Sequence, residues 1–189
     1  MTNRLSILGL AAAAFAMPLA AQTASDVTED IRLETRDFAR CIAAKDARKA
    51  EQLLTMSIGS PDYTRAMKIM LGQSGCVEDP DMATFEPLLL SGALAEMMLK
   101  AGVPAGLGAR AAAANPGDPA LAMADCALRA DRTRADALLA TTWLSDAERD
   151  AAFELQPALK PCLTAEPIKL TPAQLRALVA LASLRASAA

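Results

Sequence analysis

The side chains best suited to covalent chemistry are four cysteines, Cys41, Cys76, Cys126 and Cys162. Four thiols allow three disulfide pairings. No two of them form the CxxC motif of a redox centre or the CxxCH motif of haem attachment, and a four-cysteine zinc site normally draws on closely spaced pairs, which are missing here. The wide spacing therefore favours structural disulfides over redox or metal chemistry.

Histidine is absent from the chain. Its absence removes the commonest general base, the commonest metal ligand and every nucleophile that depends on an adjacent imidazole. A phosphate-binding loop is not indicated either, because Gly102, Gly106 and Gly108 follow no predicted strand and no Lys-Ser/Thr pair ends the stretch. We therefore expect no metal site and no cofactor.

Carboxylates remain as groups that could do acid–base chemistry. Glu78, Asp79 and Asp81 lie close together in the sequence, but they lack the spacing and the final glutamate of an EF-hand loop. A solvated acidic turn is the favoured interpretation. No spacing singles out two carboxylates as a hydrolytic pair, so a carboxylate-based hydrolase stays the least favoured function.

These side chains belong to a sequence that occurs twice. The segment FARCIAAKDARKAEQLL, Phe38 to Leu54, returns 85 residues later as MADCALRADRTRADALL, Met123 to Leu139. The same offset relates further helix-start and helix-core positions, namely Ser60 to Ser145, Pro87 to Pro172, Leu90 to Leu175 and Ala95 to Ala180.

The duplication also predicts how the cysteines pair. Cys41 is equivalent to Cys126 and, with one inserted residue, Cys76 is equivalent to Cys162. Because a single ancestral unit could have paired only its own two cysteines, the expected disulfides are Cys41–Cys76 and Cys126–Cys162.

Helix signals recur at the same places in both copies, and they predict an all-α fold of two tandem four-helix units, about eight helices in total. Asp46 and Asp131 are expected N-caps, and prolines follow in first turns elsewhere. The expected division is a signal peptide at 1–21, a first repeat at 22–101, a Gly/Ala/Pro-rich linker at 102–117 and a second repeat at 118–189. Within the linker, a helical turn is expected from Arg110 to Ala114. The fourth helix of each copy is the most apolar, so we expect the copies to pack through these helices about a pseudo-twofold axis.

The first 21 residues resemble a secretory signal, with a basic Arg4, an apolar run from Leu5 to Met17 and small residues before Gln22. Cleavage is expected after Ala21, which predicts a periplasmic or secreted protein with no transmembrane segment in the mature chain. A retained membrane anchor is the alternative, but the apolar run is shorter than the roughly 20 residues that a spanning helix needs.

Charge and composition argue against a nucleic-acid partner. The full chain has 19 basic and 22 acidic residues and a net charge of −3, and only 3% of its residues are aromatic. Removal of Arg4 makes the mature chain slightly more acidic. Nucleic-acid binding would call for a basic stripe and aromatic stacking platforms.

A few side chains could line a groove for an apolar ligand. Glu96 stands where the second copy has Leu181, and Trp143 stands where the first copy has Ile58. Core packing of the methionines, an i,i+4 pair of Glu96 with Lys100, and a core position for Trp143 are the more conservative interpretations. The candidate groove comprises Met67, Met70, Glu96, Met97, Met98 and Trp143.

The repeat unit has a recognisable order: a Cys-bearing helix, an Asp-started Leu-Leu helix, a Ser-capped helix, a second Cys, and a helix of the pattern found in Leu90 to Lys100. In this it resembles a group of exported bacterial proteins rich in alanine and leucine. That group has no assigned activity, so the resemblance implies no catalytic or binding residues.

The leading functional hypothesis is a non-enzymatic periplasmic or secreted helical repeat protein that acts by binding an unknown protein or envelope component. A carrier of a small apolar ligand or lipid, held in a pocket between helices, is the second hypothesis.

Overall fold

The computed structural model describes residues 23–79, 83, 85–163 and 170–187, with side chains described from Leu33 onward. The expected signal peptide at 1–21 lies outside these residues, as does Asp81. Within the described part, all regular secondary structure is helical. Its α-helices are α1 (Thr23–Lys45), α2 (Ala47–Leu54), α3 (Pro61–Ser74), α4 (Pro87–Ala101), α5 (Leu107–Ala114), α6 (Pro119–Ala130), α7 (Arg132–Ala140), α8 (Asp146–Leu159) and α9 (Pro172–Ala186), and a 3-10 helix (Lys160–Cys162) follows α8.

The all-α prediction is confirmed, but the described residues form nine α-helices where about eight were expected. The additional helix, α5, lies inside the segment predicted as a linker. Its alanine-rich sequence favours a helix, and Leu107 and Ala111 are buried, with α5 packed on α9. Asn115, just after α5, accepts a hydrogen bond from the Ile58 amide at 2.9 Å, which fixes this segment to the loop after α2.

Polar side chains start α2 and α7 where the sequence predicted them. Asp46 accepts a hydrogen bond from the amide of Lys49, and Asp131 accepts one from the amide of Arg134. Such caps satisfy backbone amides that have no partner inside the helix. Four more α-helices start in the same way, with side-chain caps from Ser60, Asp118, Ser145 and Thr171.

Both expected disulfides are present. Cys41 of α1 is joined to Cys76, which follows α3, and their Cα atoms are 5.8 Å apart. Cys126 of α6 is joined to Cys162 of the 3-10 helix, with the Cα atoms 5.7 Å apart. Each crosslink closes a loop of about 35 residues, which on the chain-entropy estimate stabilises the fold by about 3–4 kcal/mol.

The centre of the molecule is the contact between α4 and α9. In α9, apolar residues are buried round most of the circumference, from Leu175 to Leu184. The two helices approach closely at Gly92, where an added Cβ atom would lie 2.3 Å from the Cβ of Ala177. A glycine is therefore required at this crossing. Among the described helices, none is both long enough and apolar enough to span a bilayer.

Candidate functional site

A buried arginine lies at the junction of α4, α7, α8 and α9. The side chain of Arg176 is 1% exposed, and its Nε donates a hydrogen bond to Oε1 of Glu96 on α4. Its Nη2 donates to the other oxygen of Glu96 at 3.2 Å, and its Nη1 donates to Oε1 of Glu148 on α8 at 3.4 Å. One guanidinium thus holds two buried carboxylates from two different helices.

The remaining N–H groups of Arg176 are directed at the end of α7. Nη1 donates to Oγ1 of Thr141 at 2.9 Å, and Nη2 donates to the carbonyl oxygens of Leu139 and Thr141 at 3.0 and 3.1 Å. The guanidinium carbon also lies 5.2 Å from the ring centroid of Trp143, and Nε1 of Trp143 donates to Glu96 at 3.1 Å. The five N–H groups of the arginine are therefore fully engaged by protein atoms.

Glu148 also helps to start α8. Its amide donates a hydrogen bond to Oγ of Ser145, and its carboxylate accepts one from the amide of Leu144 at 2.7 Å. Leu144 has a φ of 61°, an unusual value for a branched side chain. The carboxylate thus holds the strained residue that connects α7 to α8.

This cluster is suited to holding helices together and not to reacting with a substrate. Glu96 and Glu148 are both 2% exposed and both bonded to Arg176, so neither carboxylate is open to solvent. Lys100 lies 3.6 Å from Glu96, as its i,i+4 position predicted, and brings a second positive charge. The charges are balanced by protein groups alone.

Of the six residues predicted to line a groove, the structure brings Glu96 and Trp143 together through their hydrogen bond. Met67, Met70 and Met98 are buried in the core, and Met97 is half-buried. Met70 also lines a small groove of about 130 Å³ between α2 and α3, beside the exposed Ile69.

Sequence reasoning missed Arg176, Glu148 and Thr141 as members of the cluster. The one signal that could have pointed to Arg176 is its position, since it is the sole charged residue between Pro172 and Ser183 of an otherwise apolar helix. Nothing in the sequence links it to Glu96, which lies 80 residues earlier in the chain.

A larger apolar groove lies between α6, α8, the 3-10 helix and α9, and we call it the α8 groove. Its volume is about 420 Å³, which lies within the range of ligand-binding clefts. Phe153 and Leu163 border it and are 70% and 42% exposed. Its lining consists of Met123, Phe153, Gln156, Pro157, Leu159, Lys160, Leu163, Leu170 and Leu175.

A second surface groove, of about 520 Å³, lies beside the other disulfide. Leu33, Phe38 and Val77 contribute apolar surface, while acidic residues also line it. Asp37 is paired with Arg36 and Arg40, so part of this negative charge is neutralised within α1. The four acidic residues of this groove are Glu34, Asp37, Glu78 and Asp79.

In the part of the chain whose side chains are described, large apolar side chains are exposed only beside these grooves. Phe153 and Leu163 line the α8 groove. Leu33 lines the second groove, which contains the four acidic residues, and Ile69 lines the small groove at Met70. Phe153 is the most exposed of the four. The α8 groove therefore has the strongest apolar character of the surface features and is the candidate site.

Metal ligation is not indicated by the described residues, in which no three Cys, Asp or Glu side chains lie together as a possible ion site. Comparisons with protein-family models, with curated proteins and with solved structures give no match to this chain.

Proposed function

We propose that this chain is a non-catalytic helical binding protein of the cell envelope, and that its α8 groove receives an apolar protein surface. The observation that carries the proposal is the exposure of Phe153 and Leu163 on one apolar groove. Large apolar side chains left in water cost free energy, at about 25 cal/mol per Å² of apolar surface, unless a partner covers them.

The shape of the groove favours a protein partner over an enclosed ligand. Phe153, Gln156, Pro157, Lys160 and Leu163 all line the groove and are all exposed. A carrier normally buries most of its ligand inside the fold. An open apolar surface with a few polar side chains at its edge is instead typical of an interface between proteins.

Several buried polar side chains are bonded to one another within the fold, which is consistent with a binding role. The buried carboxylates of Glu96 and Glu148 are held by Arg176, and the hydroxyl of Tyr63 is bonded to Ser91 at 2.7 Å and to the carbonyl oxygen of Pro87. Burial raises the pKa of Tyr63 far above its ordinary value, so this hydroxyl stays neutral. These groups stabilise the scaffold that presents the groove.

A carrier of a small apolar ligand is the second candidate, because the α8 groove is lined mainly by apolar side chains and its volume of about 420 Å³ would hold such a ligand. Native mass spectrometry of protein purified from its own host's envelope fraction separates the two functions. A retained lipid or metabolite would favour the carrier. A stoichiometric protein partner would favour the interface.

The tandem arrangement of two four-helix repeats is also part of the proposal. Glu148 and Arg176 bond each other, and the residues 85 positions earlier, Tyr63 and Ser91, bond each other too. The close crossing pairs Gly92 with Ala177, which are related by the same offset. These equivalent contacts support a duplication whose halves pack through α4 and α9, with α5 added between them.

We also propose that the protein is exported to the periplasm or the medium. The two disulfides are typical of an oxidising compartment outside the cytoplasm. Mass determination of the mature protein from its host tests the leader directly, because cleavage after Ala21 leaves Gln22 as the first residue. A mature protein that retains residues 1–21 would contradict this step.

Binding of N-phenylnaphthylamine, a neutral apolar fluorophore, tests the α8 groove. We expect fluorescence enhancement with the wild-type protein and about a tenfold weaker apparent affinity with the double variant Phe153→Ser and Leu163→Ser. The matched control is Ile69→Ser, which removes an exposed apolar side chain from another groove. Equal binding by all three proteins would refute the assignment of the α8 groove.

A further inference from the structure

We propose that the partner of the α8 groove is a second copy of this chain, bound through an antiparallel pairing of the two α8 helices. This inference rests on the proposed function of the groove and names its occupant. The observations that support it are the exposure of α8 and the order of charges along its exposed face.

The outer face of α8 forms one continuous exposed stripe centred on Phe153. Residues three, four and seven positions away from it lie on the same side of a helix. All of these positions are exposed, and they are Asp146, Arg149, Asp150, Gln156, Pro157 and Lys160. The opposite face is buried through Glu148, Ala152 and Leu155.

A twofold axis at Phe153 pairs residues that are equally distant from it on the two helices. Asp146 of one copy then faces Lys160 of the other, and the symmetry produces this ion pair twice. Asp150 faces Gln156, which can donate a hydrogen bond to it. The N-terminal end of each stripe carries Asp146, Arg149 and Asp150, with Arg149 paired to Asp146 in its own helix, and so has a net negative charge. It meets Lys160 of the other copy, whereas a parallel pairing would place Asp146 against Asp146.

The same axis covers the apolar surface that the monomer leaves exposed. Phe153 of each copy lies at the centre of the pairing, within one helical turn of Pro157 on the other copy. Pro157 and Leu163 line the groove beside Phe153. Each copy therefore both supplies the aromatic side chain and offers the groove, as a symmetric interface requires.

One helix pair with a short flanking segment buries less surface than a stable dimer usually does. Interfaces below about 1,200 Å² are typical of weak, reversible association. We therefore expect a monomer–dimer equilibrium with a dissociation constant in the micromolar range, visible as a rise in average mass with concentration.

Sedimentation velocity of the mature protein over a wide range of concentration tests the dimer. Phe153→Ser is expected to weaken dimerisation at least about tenfold, since truncation of a central aromatic residue commonly costs that much. Ile69→Ser is the control and should leave the equilibrium unchanged. A dimer that is unaffected by Phe153→Ser would overturn the pairing.

A charge exchange tests the antiparallel orientation. Asp146→Lys alone and Lys160→Asp alone should each weaken the dimer several-fold, because each places like charges opposite one another. The double variant D146K/K160D should return to within about twofold of the wild-type constant. Within one copy, Asp146 begins α8 and Lys160 directly follows its last residue, about 21 Å away, so rescue must act between copies. Failure of the rescue would overturn the orientation.

The two proposals fail in different ways. A protein that remains monomeric at every concentration, yet binds N-phenylnaphthylamine in a Phe153-dependent manner, would overturn the self-association and leave the groove as a site for another partner. A protein that neither dimerises nor binds the fluorophore would overturn both.

Discussion

Gly92 of α4 and Ala177 of α9 meet so closely that any side chain at Gly92 would overlap the partner helix. The built Cβ position lies 2.3 Å from the Cβ of Ala177 and 2.4 Å from its Cα. Real Cβ atoms do not approach backbone atoms so closely, so the helices must separate if Gly92 is replaced. The position of this glycine therefore sets the distance between the two central helices.

Gly92→Ala is expected to destabilise the protein by about 1–3 kcal/mol, the usual cost of overpacking a close helix crossing. Chemical denaturation measures the change in the free energy of unfolding. Gly72→Ala is the matched control, because Gly72 also lies within a helix and a Cβ there would meet nothing within 4 Å. It should be neutral or stabilise by up to about 1 kcal/mol through helix propensity. Equal effects at both positions would contradict the close packing.

Arg176→Met should be strongly destabilising, by about 3–5 kcal/mol, because it leaves the carboxylates of Glu96 and Glu148 buried without their cation. Trp143 is the only tryptophan of the chain and contacts both Arg176 and Glu96, so its fluorescence reports on the cluster during unfolding. Thermal or urea unfolding followed at this signal provides the measurement.

A compensated variant separates the buried charges from the loss of packing. Arg176→Met combined with Glu96→Met and Glu148→Gln removes both unpaired charges and keeps an acceptor for the Leu144 amide. It should recover a large part of the stability lost in Arg176→Met, since apolar replacements of a whole buried ion cluster are often well tolerated. A triple variant less stable than the single one would mean that the cluster is not held by charge pairing.

The sequence predicted those features of the fold that depend on local signals or on the repeat. Helix starts at Asp46 and Asp131 could be predicted because a cap bonds amides within three residues. The disulfides could be predicted because each of the two similar sequence segments contributes its own pair of cysteines, which favours pairing within a segment. Helix α5 was predicted only as a turn from Arg110 to Ala114, because Leu107 becomes a core residue only once α9 covers it. Arg176 was missed because its partners come from helices distant in sequence.

The residues of the α8 groove could not be predicted from the sequence for the same reason. Methionine spacing predicted buried faces, and Met67, Met70 and Met98 are indeed buried. The exposed side chains of the α8 groove could not be found in this way, because the helical pattern around Phe153 does not tell which face of α8 the rest of the fold covers. Burial of Leu155 and exposure of Phe153 are decided by tertiary packing on α6, α7 and α9.

Two aspartates should give the stability of the protein opposite dependences on pH. Burial raises the pKa of Asp125 above its ordinary value of 3.8, against the opposing charges of Arg185 and Arg129. A carboxyl whose pKa is raised by folding binds its proton more tightly in the folded state, so its contribution to stability falls as pH rises from about 4 through the folded-state pKa. Asp125→Asn should remove this fall.

The contribution of Asp131 to stability depends on pH in the opposite direction. Hydrogen bonds from the backbone amide and the side chain of Arg134, together with the charge of that arginine, lower the pKa of this carboxyl. Its contribution to stability is complete above pH 4 and is lost as pH falls through the lowered folded-state pKa. The stability of the wild type relative to Asp131→Asn should therefore rise as pH rises towards 4. Above pH 4, the stability of the wild type relative to Asp125→Asn should fall. Urea unfolding at a series of pH values measures both slopes, and slopes of equal sign would contradict the assignment.

Removal of Cys126–Cys162 should affect the α8 groove as well as stability. The 3-10 helix that carries Cys162 also carries Lys160, and Leu163 follows directly, so the crosslink to α6 fixes one end of the groove. The double variant C126A/C162A should lose about 3–4 kcal/mol of stability and bind N-phenylnaphthylamine several-fold more weakly.

The variant C41A/C76A is the control. It removes the other crosslink, which closes a loop of similar length far from α8 along the chain. It should lose comparable stability and keep its affinity for the fluorophore, measured at a temperature where both variants are folded. Equal loss of affinity in the two variants would mean that the groove depends on global stability and not on its own crosslink.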